Sequence, residues 1–212
     1  MSSKILLIFL FGLSLRAGAA ECSLVRTVPI HLANEAAVPP RVLTAAQREA
    51  VYILKSLCVH LEWTADPVAD AIEMRITPVP IGPDIPKGAL GITFLDPIGT
   101  NRGTVFFSRV RAVERTYGRL VNLEGLLGCV LAHEIGHLLL GSKTHSREGI
   151  MVANFERPEL LEAGQRGLLF TRDDREMFKS AKGADPHHQT AKELASALSG
   201  ALNTATVLRE AP

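Results

Sequence analysis

Apolar positions at Leu24, Val28, Ile30 and Leu32 alternate with more polar ones, which predicts a strand with one buried face. Pro39-Pro40 then interrupts the pattern. Val42, Ala46, Ala50, Ile53 and Leu57 recur at helical spacing, so residues 41–57 are predicted to form an amphipathic helix. Val59, Leu61 and Trp63 alternate with His60, Glu62 and Thr64, and Ile72, Met74 and Ile76 with Glu73, Arg75 and Thr77. These are two further strands. The stretch Pro78–Lys87 holds four prolines and reads as loop. Leu90, Ile92 and Phe94 predict a fourth strand. Thr104–Phe107 predicts a fifth, after the turn-rich Asp96–Gly103. A long apolar helix follows Asn122. The order is strand, helix, four strands, helix: an α/β (α+β) fold with a mixed twisted sheet of about five strands.

Past Thr144 regular patterning is lost for about 25 residues. Thr171-Arg172-Asp173-Asp174 then resembles a helix start, a Thr cap with acid in the first turn. Leu168, Leu169, Phe170, Met177 and Phe178 are expected to pack that C-terminal helix on the core. Residues 184–212 are rich in Ala, Ser and Thr. Leu194, Leu198 and Leu202 give them one weak helical stripe, so they read as a disordered or weakly helical tail.

The N-terminus reads as an address. Lys4, the apolar run Ile5–Leu15 and the small residues Ala17-Gly18-Ala19-Ala20 predict a signal peptide over residues 1–20. The run is short for a membrane span. No later segment reads as one, so the product is expected to be secreted or periplasmic and free of the membrane. Residues 21–183 form the expected domain. Its first strand begins too close to Ala20 to leave room for an inhibitory propeptide. The 212-residue chain is 47% hydrophobic and 21% charged with a formal net charge of +1. That composition suits one globular domain and gives no basic surface for nucleic acid. Export permits disulfides. Cys22–Cys58 is the plausible pair, and Cys129 reads as a small buried side chain. Arg102, Arg109, Arg111, Arg115 and Arg119 read as a solvated helix face, with an acidic-substrate contact as the alternative.

One motif carries chemistry: His133-Glu134-Ile135-Gly136-His137. On a helix, residues four apart share a face, and two imidazoles so placed can reach one Zn²⁺. Glu134 can act on water as a general base. The surroundings supply the helix: Asn122 can cap it, Glu124 suits its positive end, and Leu123, Leu126, Leu127, Val130 and Leu131 can bury it. A catalytic zinc needs a third protein ligand. His145 leads, because Gly141 can end the helix in a left-handed turn and Ser142–Thr144 can bring the chain back. A carboxylate from Glu156, Glu159 or Glu162 is the rival. His31 and His60 read as polar strand positions, and His187-His188 as solvated tail. A thiolate ligand from Cys129 is disfavoured, since one straight helix cannot wrap an ion with three successive positions.

The run from His133 through Gly141, His145 and Ser146 to Gly149-Ile150-Met151 resembles the active site of metzincin zinc endopeptidases, nearest the matrixins. The resemblance implies a zincin-like fold, with His133, His137 and His145 on zinc, Glu134 as general base and Met151 beneath the metal. It also implies a sheet edge strand that holds the peptide extended, here Leu90–Leu95 or Thr104–Phe107. The chain departs from the HExxHxxGxxH pattern by carrying three residues, not two, in each gap around Gly141. The expectation is a monomeric, exported zinc metalloendopeptidase acting on peptide or protein substrates through a zinc-activated water. The alternatives are a zinc amidase or deformylase-like hydrolase of small amides, and a non-catalytic zinc-binding module.

Overall fold

The computed structural model describes residues 25–82, 84–95, 101–163, 165 and 167–181. The expected signal peptide, the tail from residue 184 and Cys22 lie outside the described residues. The chain is a mixed α/β structure. Five strands, β1 (Arg26–Asn34), β2 (Val59–Thr64), β3 (Ile72–Thr77), β4 (Gly91–Phe94) and β5 (Arg102–Phe106), form one sheet in the order β2-β1-β3-β5-β4. The first four in that order run parallel; β4 is antiparallel to β5. A parallel neighbour requires a crossover, and α1 (Pro40–Lys55) supplies it between β1 and β2.

Alternation sets the two faces of the sheet. Val28, Ile30, Val59, Leu61, Met74, Ile76 and Val105 are buried on one side. On β1 and β3 the intervening positions carry polar partners: His31 bonds Glu73 at 2.9 Å, and Arg75 bonds the Glu35 carboxylate. His60 is an exposed strand position, as its place in the pattern suggested.

The apolar face is covered by α1 and by α3 (Leu123–Leu140), which also pack on each other. Every residue of α3 from Gly125 to Leu138 is buried, so this helix has no polar face to show water. It is long and apolar enough to cross a membrane, which corrects the reading that no later segment resembles a span. Here it is the core helix of the domain. Asn122 caps it, its side chain accepting from the Gly125 amide at 2.6 Å. Gly141 ends it at φ +59°, a left-handed turn that costs glycine least.

Two helices lie outside the ordered pattern of the sequence. α2 (Phe107–Tyr117) follows β5 directly and carries three of the five arginines expected on a helix face, Arg109, Arg111 and Arg115; Arg102 opens β5 and Arg119 lies past the end of α2. α4 (Arg157–Glu162) falls in the stretch without regular pattern and is held by a capping box between Glu156 and Glu159. The last helix among the described residues, α5 (Arg172–Ala181), starts where Thr171 and Asp174 predicted: the Asp174 amide donates to Thr171 Oγ1 at 3.1 Å, and the Thr171 amide to Asp174 Oδ2 at 2.8 Å. Leu168, Phe170 and Phe178 bury as expected, but Met177 is 43% exposed and does not pack. Cys58 is in a disulfide, and Cys129 is a reduced thiol buried in α3.

Candidate metal centre

His133 and His137 project from adjacent turns of α3, with ring centroids 4.6 Å apart. Gly141 reverses the chain, and the Ser142 side chain then accepts from the Thr144 amide at 3.1 Å. That short turn returns His145 to the helix, its ring 5.5 Å from His133 and 4.9 Å from His137. One ligand atom from each of the three lies within 4.8 Å of the others. The extra residue before Gly141 is taken up in the last turn of α3 and the one after it in the loop, and the three imidazoles still converge. No carboxylate joins this group among the described residues: Glu156 and Glu159 are engaged in capping α4.

Backbone carbonyls orient the two helical imidazoles. His133 Nδ1 donates to the Ile150 carbonyl at 2.7 Å, and His137 Nδ1 to that of Ser142 at 2.8 Å. With both Nδ1–H groups so used, both Nε2 atoms carry bare lone pairs, and these face each other at 3.0 Å. Two lone pairs at that distance repel unless a cation lies between them. Ligand bonds of about 2.0–2.1 Å at a tetrahedral angle would set such atoms about 3.3 Å apart. The donor set thus fits a metal ion. Burial drives the His133 pKa down to about 3, helped by His137 nearby. Burial also lowers His137 and His145. All three are then neutral at physiological pH, the form that ligates.

Glu134 lines the same cavity as the three imidazoles and is held from the β4 side. Its Oε2 accepts from Thr93 Oγ1 of β4 at 2.7 Å. Burial raises its pKa to about 7, against the lowering effect of that bond. A carboxyl group near 7 suits a general base at neutral pH. The carboxylate fits only because Gly91 has no side chain: a Cβ there would meet Glu134 Oε1 at 2.5 Å.

The loop after His145 forms the support. The Ser146 amide donates to the Met151 carbonyl at 2.8 Å, and the Ile150 amide to the Leu169 carbonyl at 2.9 Å. Ser146 Oγ donates to Asp174, an acid with no exposed surface. Gly149, at φ +77°, lies too close to the Leu169 carbonyl for any side chain. Met151 is buried, and its sulfur fills the space left by Gly136 within the motif.

A cavity of about 410 Å³ opens over these groups. Leu90, Ile92, Val130, Val152 and Phe155 make it largely apolar, and Lys143 brings a cation to it. Of the two strands proposed as a substrate edge, β4 lies at the sheet edge, while β5 is internal between β3 and β4. Thr104–Phe107 is therefore excluded as an edge. The sequence pattern marked His133, Glu134, His137 and His145 and read Asp174 only as part of a helix start; it missed Thr93 and the Ile150 and Ser142 carbonyls. Nothing local singles out Thr93, whose partner lies 41 residues on, and a carbonyl leaves no mark in a sequence. Comparison with known proteins finds no matching family model and no matching curated protein.

Proposed function

We propose that the chain is an exported zinc-dependent endopeptidase of the metzincin kind, with Glu134 as general base. The observation that carries this reading is the pairing of functions in one helical turn. His133 and His137 present bare Nε2 atoms to one point, while the buried carboxylate of Glu134, the residue after His133, lines the same cavity and is held by Thr93 rather than grouped with the imidazoles. A purely structural site has no use for a separate buried base. Zinc, when bound, supplies a Lewis acid that polarises the scissile carbonyl and makes water acidic. Glu134 takes the proton of the attacking water and returns it to the leaving amine.

The substrate is a peptide in extended form. The outer edge of β4 has no strand partner among the described residues, and it borders the cavity through Leu90–Thr93. An edge strand in that place can pair with the backbone of a bound chain. Apolar side chains suit the walls. The disulfide at Cys58 agrees with an oxidising compartment.

The test is elemental analysis of the purified mature protein beside His145→Ala, with cleavage of a peptide library and Glu134→Ala as the blank. One zinc per chain, sharply less in His145→Ala, and cleavage abolished in Glu134→Ala with its zinc retained are the expected results. No zinc after reconstitution would sink the hydrolase reading. Hydrolysis confined to small amides would replace the endopeptidase by an amidase.

A further inference from the structure

Arg109 reads in the sequence as part of a solvated helix face, but its guanidinium is engaged within the fold. It is half-buried at the start of α2, and one nitrogen, Nη1, donates to the Pro86 carbonyl at 2.7 Å and to the Ala89 carbonyl at 2.6 Å. Its guanidinium lies over the Phe106 ring, 5.3 Å from the centroid. Both carbonyls belong to the segment that forms one wall of the cavity: Pro86, Gly88, Ala89 and Leu90 all line it. The backbone secures the same segment at its ends, Ser108 N to Pro78 O at 3.0 Å and Phe106 N to Leu90 O at 2.8 Å. Between those anchors Thr77 Oγ1 donates to the Val79 carbonyl at 3.0 Å near the start, and Arg109 ties the part that lines the cavity. The facing wall comes from the loop after Met151: a Cβ at Gly88 would sit 3.9 Å from Asn154 Oδ1. The tied segment runs straight into β4, which holds Thr93 and Gly91 against Glu134.

We infer that Arg109 is a positioning residue that holds the Pro86–Ala89 wall and thereby sets how tightly the cleft grips an extended peptide. The inference rests on the endopeptidase reading for the identity of the occupant. It touches neither the imidazoles nor Glu134, so the ligand set and the base are independent of it. Arginine suits the task because its charged, planar group donates to two acceptors at once, and hydrogen bonds from a charged donor are the stronger ones.

The experiment compares the parent with Arg109→Met, which keeps the length and removes the donors, and with Arg109→Lys, which keeps a donor. Hydrogen exchange over residues 86–91 reads the wall directly. Zinc content, and affinity for acetohydroxamate against a peptide hydroxamate with an apolar side chain, read the site. Arg109→Met is expected to exchange at least tenfold faster at residues 86–91. It should keep its zinc and its acetohydroxamate affinity, and bind the peptide hydroxamate about tenfold more weakly, with Arg109→Lys between. For turnover of a peptide substrate, KM should rise and kcat hold. Unchanged exchange overturns the tie. Faster exchange with unchanged peptide affinity overturns the positioning role. Loss of zinc or of acetohydroxamate binding in Arg109→Met would mean a general structural role instead. A zinc-loaded parent that binds neither hydroxamate overturns the endopeptidase reading and the substrate role together, and the exchange result then stands alone on whether Arg109 holds the wall.

Discussion

Replacing Gly91 by alanine puts a methyl carbon where the Glu134 side chain already lies. The new Cβ would meet Oε1 at 2.5 Å and both Cδ and Cγ at 2.9 Å. Carbon contacts relax at about 3.5–4.0 Å, so the carboxylate must move by roughly 1 Å. Glu134 is only 4% exposed, so the side chain can give way only toward the cavity it lines. Moving it also stretches the 2.7 Å bond from Thr93. A displacement of that size at a reacting group costs about a hundredfold in rate, or about 2.7 kcal/mol of transition-state stabilisation. The imidazoles are anchored elsewhere, on the Ile150 and Ser142 carbonyls. Gly91→Ala should therefore keep its zinc, lose about a hundredfold in kcat/KM on a peptide substrate, and lose about 1–3 kcal/mol of stability from the overpacking. Full activity in this variant would refute the assigned role of Glu134. Zinc lost in proportion to activity would show that Gly91 supports the whole site and not the base alone.

Thr93→Val keeps the shape of β4 and removes the hydroxyl that donates to Glu134. Steady-state kinetics should show kcat reduced by about tenfold with zinc content unchanged, from one hydrogen bond to a charged group of about 1.5 kcal/mol. Asp174→Ala strands Ser146 and the Thr171 amide together. Denaturant unfolding should show about 2–4 kcal/mol lost, and metal titration a weaker site, because Ser146 follows His145; Asp174→Asn should recover part of both. Removing the metal with a chelator should abolish activity and lower Tm, both restored by zinc. Free zinc held at a thousandfold its Kd stabilises the domain by about 4 kcal/mol.

How far the site could be read from the sequence depends on what each group uses to hold its place. His133, Glu134 and His137 declare themselves because helical geometry alone turns a spacing of four into one face. Asn122, Gly141 and Thr171 are equally plain, since a helix end leaves amides and carbonyls that particular residues satisfy. The alternating strands were legible for the same local reason, and β2 and β3 run over the residues whose alternation marked them. What stayed hidden is everything decided by a partner distant in the chain. Gly91 and Thr93 gain their meaning from Glu134, more than forty residues on, and only the sheet order β5-β4 puts them over α3. That order also decides which strand offers an edge, a choice the pattern left open between Leu90–Leu95 and Thr104–Phe107. Arg109 shows the opposite error. A charge on a helix surface looks solvated in sequence, yet two carbonyls of the preceding loop claim it. Asp174 was seen as half of a cap, which it is; that it also holds Ser146 depends on α5 closing against the loop below His145. The candidate ligands His133 and His137 were thus visible through local periodicity and His145 through the turn at Gly141, while the groups that orient them are set by tertiary contacts, and those are where the variants above act.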